Sequence, residues 1–148
     1  MIGCAASASV KQNIRSLPFE LPEAWVFGAT PKRADELLGL VLAVIKTGTA
    51  SSLWEYEFTS DPVPRVGELS IVLDGDGSPR ALIETTAVSI VPFDEVTEGH
   101  AFSEGEGDRT LVMWRELNER FWREHLGSPR GFERTMPVVC ERFRVVYS

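Results

Sequence analysis

The chain has 148 residues, a formal net charge of −7, 43% hydrophobic residues and 25% charged residues. A single domain of that size buries roughly 68–70% of its unfolded surface, so a core forms without disulfides or a structural metal. The negative charge disfavours the broad phosphate-neutralising surface of a tight binder of double-stranded DNA, and no stretch approaches the roughly 20 apolar residues of a membrane span.

Residues 1–17 are Ala/Ser-rich and read as a flexible leader, with a domain over 18–148. Leu17 to Gly28 holds prolines and aromatics and reads as an ordered loop. Thr30 is a good N-cap and Pro31 suits the first helical position. Leu37, Leu38, Val41, Leu42 and Ile45 follow at helical spacing, which predicts a helix from Pro31 to Lys46 ended near Gly48. Thr47, Thr49, Ser51 and Ser52 then make a hydroxyl-rich loop.

Trp54, Tyr56 and Phe58 alternate with Leu53, Glu55 and Glu57, which predicts a strand over Ser52–Phe58. Leu69–Leu73 reads as a second strand and Arg80–Ile90 as a third, joined by the turn signal Asp74-Gly75-Asp76-Gly77. Pro92–Val96 reads as one helical turn, and Gly99–Asp108 as a glycine-containing loop. Asp108 is a candidate N-cap for a helix over Arg109–Leu126 carrying Leu111, Trp114, Leu117, Phe121 and Trp122, with Trp114 and Trp122 in the core. Pro137–Tyr147 closes the chain as a strand. Strands joined by tight turns favour antiparallel pairing, and the order of elements predicts an α+β fold, a small, mostly antiparallel barrel flanked by helices.

Cys4 and Cys140 stand at opposite ends, without CxxC or zinc spacing, and read as reduced thiols. With no apolar signal core at the N-terminus, the expected location is cytoplasmic. His100, Glu104 and Asp108 share a four-residue spacing, but Gly105 and Gly107 interrupt the helix that a shared ligand face requires. No metal or other cofactor is expected.

Several stretches, in order, resemble the ASCH domain family. They are Glu36-Leu37-Leu38 through Lys46-Thr47-Gly48-Thr49-Ala50-Ser51-Ser52-Leu53-Trp54, Val66 to Gly75, Ile83-Glu84-Thr85-Thr86 with Pro92-Phe93-Asp94-Glu95-Val96, Glu104 to Arg109 with Trp114-Arg115, and Cys140-Glu141-Arg142-Phe143. The resemblance implies a PUA-like β-barrel, a cleft between barrel and helices, and a role with RNA or its pieces. Some members are ribonucleases, and others are amidohydrolases acting on acetylated cytidine through a Lys-x-x-Thr pair and a later Glu. Lys46, Thr49 and Glu104 stand at the matching positions. Val44 departs from the pattern, since many members carry glycine there.

A threonine nucleophile needs a base, and a neutral lysine serves only if burial suppresses its charge. Kept charged, Lys46 instead binds a phosphate or developing oxyanion, with Thr47, Ser51 and Ser52 adding hydroxyls. Trp54 and Tyr56 are candidates to stack on bases, and Arg109 and Arg115 to touch phosphate. The same residues also admit plain readings: a helix-end lysine, a helix-capping acid cluster and a barrel core. Three functions follow: a hydrolase of RNA or a modified nucleoside, a non-catalytic RNA-binding module, and a scaffold for a partner. The expected partner is RNA or a nucleoside-like small molecule.

Overall fold

The structure, a computed structural model, describes residues 21–148. The expected leader over 1–17 and Cys4 lie outside the described residues. Five strands form one mixed sheet that curls into a half-barrel: β1 (Glu23–Trp25), β2 (Gly48–Ser52), β3 (Leu69–Leu73), β4 (Pro79–Pro92) and β5 (Pro137–Tyr147). Their order is β1-β3-β4-β5-β2, and only the β1–β3 pair is parallel. Four helices flank the sheet: α1 (Pro31–Leu42), α2 (Leu53–Thr59), α3 (Glu98–Glu104) and α4 (Leu111–His125). The α+β reading therefore holds.

Side-chain alternation along the strands divides the core in two. One face packs Val72, Ala81, Ile83 and Phe143 against Phe27, Leu37, Leu38 and Val41 of α1 and the segment before it. The other packs Ala50, Val138 and Cys140 with Trp54, Phe93, Trp114 and Trp122. Phe93 is the hub of the second cluster, its ring 5.4 Å from Trp114 and 4.9 Å from Phe132. Trp114 and Trp122 are core residues, as their helical spacing suggests.

The segment Ser52–Phe58 is not a strand. Ser52 Oγ accepts the Trp54 N–H and caps α2. The partner strand explains the change: Ser52 pairs with Val138, one residue from the start of β5 at Pro137. Beyond Ser52 the chain has no neighbour to pair with, and it satisfies its backbone as a helix. Trp54 and Tyr56 therefore do not share a strand face. Conversely, the expected hydroxyl loop after Lys46 is strand β2, pairing with β5 from Gly48 to Ser52. Part of the expected loop at Gly99–Asp108 is helix α3, capped by Thr97 and ended by Gly105 at φ +73°. Helix α4 starts from Thr110 rather than Asp108, whose Oδ1 accepts the Thr110 N–H and hydroxyl instead. The expected loop before Gly28 holds the short strand β1, whose three residues carry no strand period.

Helix α1 is shorter than its apolar spacing suggests. It ends at Leu42, and Val44 turns the chain with φ +59°. Two successive amides, of Ile45 and Lys46, then share the Leu40 carbonyl. A left-handed conformation costs an L residue about 1–2 kcal/mol, and β-branching makes valine a poor occupant. Glycine in family relatives at this position is thereby explained by backbone conformation. Val44 is 69% exposed, so its replacement removes little packing. Val44→Gly should stabilise the fold by about 0.5–1 kcal/mol, the relief of strain exceeding glycine's unfolded-state entropy, read as a higher urea midpoint at unchanged slope.

Candidate functional site

The chain leaving α1 carries Lys46 inward until 1% of it is exposed. Its Nζ donates to the Gly48 carbonyl at 2.9 Å, the Glu104 carbonyl at 3.3 Å and Glu106 Oε2 at 3.2 Å. An ammonium has three N–H donors, so all three are used. Glu104 Oε1 lies 3.8 Å from the same nitrogen, and the Phe27 ring centroid 5.3 Å away. Glu106 also accepts from Arg33 Nη2 of α1 at 2.7 Å.

Glu104 is fully buried at the end of α3. Its Oε2 is 2.6 Å from His100 Nε2 and accepts Trp114 Nε1–H at 2.8 Å. Burial opposes its charge, but the Lys46 ammonium, the His100 hydrogen bond and charge, and the Trp114 donor together hold the carboxyl below its ordinary range. An ionised carboxylate only accepts, so His100 Nε2 carries the proton. Among the described residues no cluster of three His, Cys, Asp or Glu could hold a metal. Asp108 lies beyond the Gly105 cap, off the His100/Glu104 helix.

Close backbone packing brings these groups together. A Cβ at Gly48 would collide with the Ser103 hydroxyl, and one at Gly105 would stand 2.7 Å from the Ile45 carbonyl. The Thr47 N–H donates to Ser103 O at 2.7 Å, fixing β2 to α3. Arg109 has its guanidinium on the Phe102 and Ile45 carbonyls and 3.6 Å above the Phe102 ring. It braces the loops around Lys46, and Arg115 likewise donates to the Asp94 carbonyl.

Thr49 lies on β2, three residues after Lys46, and is 1% exposed. Its hydroxyl finds no hydrogen-bond partner among the described residues, and neither does Glu104 Oε1. Buried polar atoms are nearly always paired, and these two are unpartnered together with Asn118 Oδ1 and Arg115 Nε. Beyond Thr49 the free edge of β2 opens on a groove of about 390 Å³. Ala50, Ser51, Ser52, Glu55, Tyr56, Thr59, Trp122 and His125 are among its lining residues. Its size is that of a small-molecule pocket. The Glu55 carboxylate accepts the Gly127 and Ser128 amides, clipping α2 to the loop after α4 beneath it. Trp54 turns away into the core with Arg130 3.8 Å over its ring, whereas Tyr56 lines the groove.

The model of the ASCH domain matches residues 23–147. The chain belongs to the ASCH domain family. Two solved structures are similar along nearly the whole chain. One, an ASCH domain from Lactobacillus crispatus JV V101, is 32% identical with a TM-score of 0.79 and covers 94% of this chain and 87% of its own. The other, protein EF3133 from Enterococcus faecalis V583 (family model DUF984), is 37% identical with a TM-score of 0.80 and covers 90% and 81%. No curated protein matches. The curled sheet with its helices is the PUA-like α+β fold that the resemblance implies. No helix among the described residues is long and apolar enough to cross a membrane.

Sequence reasoning placed Lys46, Thr49 and Glu104 on the site map. It read Glu106 as part of a helix-capping acid cluster, whereas Glu106 is nearer to Lys46 than the Glu104 carboxylate, and it read His100 for a metal spacing, whereas His100 orients Glu104. It missed Glu141. That residue lies directly across from Thr49 on β5, accepts the Thr85 hydroxyl at 3.2 Å and is nearly buried. Desolvation, opposed by the Thr85 hydrogen bond and aided by the Glu68 charge, pushes its carboxyl up to about 7.

Replacing Lys46 by Met should destabilise the domain by about 3–5 kcal/mol in urea unfolding, because Glu104 and Glu106 lose the buried cation they share and keep only His100 and Arg33. Glu141 sets a pH dependence of the opposite kind from Glu104. Its folded carboxyl binds a proton more tightly than the unfolded one, so stability falls as pH rises from about 4.5 to about 7. Glu141→Gln should remove that fall and leave the variant about 3 kcal/mol more stable than wild type at pH 8, measured as paired urea midpoints at pH 5 and pH 8.

Proposed function

We propose that this ASCH domain binds single-stranded RNA by seating one nucleoside unit in the groove along β2. The observation that carries the reading is the groove itself, a small-molecule-sized cleft opening on the hydroxyl-bearing free edge of β2 beside Thr49. Ser51 and Tyr56 line the groove, and Tyr56 offers an aromatic surface. The ammonium of Lys46 holds the strand from within, being fully engaged by protein oxygens. The net charge of −7 fits recognition of one unit rather than tracking of a long phosphate backbone.

A second, hydrolytic reading of the same site is favoured by one observation, the buried Thr49 hydroxyl without a partner. In that reading the Thr49 hydroxyl adds to the acyl carbonyl of an acetylated amine, the C–N bond breaks as the amine leaves with the hydroxyl's proton, and water then cleaves the acyl-threonine to acetate.

A fluorescent single-stranded hexanucleotide titrated at low and at moderate salt tests the first reading. Binding at low salt is expected, and Tyr56→Ala should weaken it by about tenfold, the scale of one lost base stack. No binding at low salt, or full affinity in Tyr56→Ala, would overturn it. Incubation with the RNA and with acetylated cytidine, read by mass spectrometry, tests the second. Product from wild type and none from Thr49→Val is the expected hydrolytic signature, and a product that survives Thr49→Val removes Thr49 from the chemistry.

A further inference from the structure

The sheet face covered by α1 is not apolar throughout. Strand pairing places Ser70 beside Ile83, Thr85 beside Phe143 and Glu141 beside Thr49, and partners in a pair share a face. Ser70, Thr85, Glu141 and Thr49 thus form a polar belt across β3, β4, β5 and β2, each no more than 9% exposed. Glu68, two residues before Ser70, extends it, and its charge reaches Glu141. Ser51, two residues after Thr49 on the same face, is half-buried and lines the groove. The belt therefore runs inward from the groove.

A belt that served only the fold would be apolar or internally paired. This one pairs Thr85 with Glu141 and leaves the Thr49 hydroxyl unmatched, although Glu141 stands on the next strand directly opposite. No hydrogen bond joins the two side chains, and a ligand's polar group placed between them would bridge both. The charge of the belt decides what that group is. Its ionised carboxyls accept, its hydroxyls do either, Lys46 is committed to Glu104 and Glu106 and Arg144 to Glu84, and Arg65 acts on Glu68 at the β3 end of the belt, away from Thr49 on β2. An anion would be repelled by the ionised Glu141, and a bare carbonyl would then meet only the Thr49 hydroxyl as a donor.

We propose that Thr49 and Glu141, braced by Thr85, form a recognition site for an amino group, taken by its N–H donors. A nucleobase amine, as on cytosine or adenine, and an alkyl ammonium share that chemistry. A carboxylate accepting from a base amine is a standard mode of base reading. The nucleobase form rests on the groove being a nucleoside site, while the ammonium form does not.

NMR titration of the full chain with cytidine, adenosine, uridine and putrescine separates these cases, using wild type, Glu141→Gln and Thr49→Val. Cytidine and adenosine should bind wild type about tenfold more tightly than uridine, the scale of one hydrogen bond to a charged group. That preference should vanish in Glu141→Gln and shrink in Thr49→Val. Putrescine bound by wild type and lost in Glu141→Gln, with no nucleoside bound, would uphold the site for ammonium and sink the groove reading. Nucleosides bound without preference would overturn the amino site and leave the groove standing. No Glu141-dependent binding of any of the four would overturn the amino site outright.

Discussion

The Lys46 ammonium touches oxygens from three stretches of chain: the start of β2, the last residue of α3 and the loop beyond it. Through Glu106 it reaches Arg33 on α1, and through Glu104 it reaches His100 and Trp114. One cation thus fixes how α1, α3, α4 and the edge strand meet. Burial of such charges is unfavourable unless every donor and acceptor is matched, and here the lysine is matched completely. The arrangement tolerates little movement, because shifting any one segment strands a charge in a medium that cannot solvate it. Gly48 and Gly105 belong to the same constraint, since side chains there would force the segments apart.

Much of this was legible in the residues. The apolar spacing of α1 and α4 and the long runs of β3, β4 and β5 report burial directly, and those elements stand within a few residues of expectation. The errors cluster where a tertiary partner decides. Alternating Trp54, Tyr56 and Phe58 imitate a strand, but β5 stops at Pro137 and offers no neighbour. Thr47 to Ser52 looks like a loop because it is short and polar, yet β5 recruits it into the sheet. In α3, two glycines near a histidine mask a helix that Thr97 caps and Gly105 ends.

The candidate site was readable through family resemblance more than through composition. Lys46, Thr49 and Glu104 carry a recognisable order, whereas the spacing of His100 suggests a metal rather than a brace for Glu104, and Glu106 and Glu141 stand in family-like stretches that say nothing of their roles. Glu141 is the clearest instance. In the sequence it is one of three charged residues, with Arg142 and Arg144, in the otherwise apolar run Val138 to Val146, where solvent exposure is the simple reading. Register with β2 and β4 turns it inward, and the side chain becomes visible only once Thr49 and Thr85 stand beside it.

The two polar regions of the domain are satisfied to different degrees, and that difference separates architecture from function. Around Lys46 the ammonium is fully partnered, and only Glu104 Oε1 and Asn118 Oδ1 nearby lack a hydrogen bond among the described residues. Such a network can hold β2 in place without a ligand. Along the belt the Thr49 hydroxyl is unmatched and Glu141 sits near the midpoint between charged and neutral at physiological pH. A fold selected only for stability would have replaced this pair with valine and an aliphatic residue, because each buried, half-satisfied polar group costs on the order of 1–3 kcal/mol. On the reading proposed here the two are linked through β2: the ion network fixes the strand from one end so that its unsatisfied hydroxyl, facing Glu141 beside an open groove, meets a ligand without first having to be ordered.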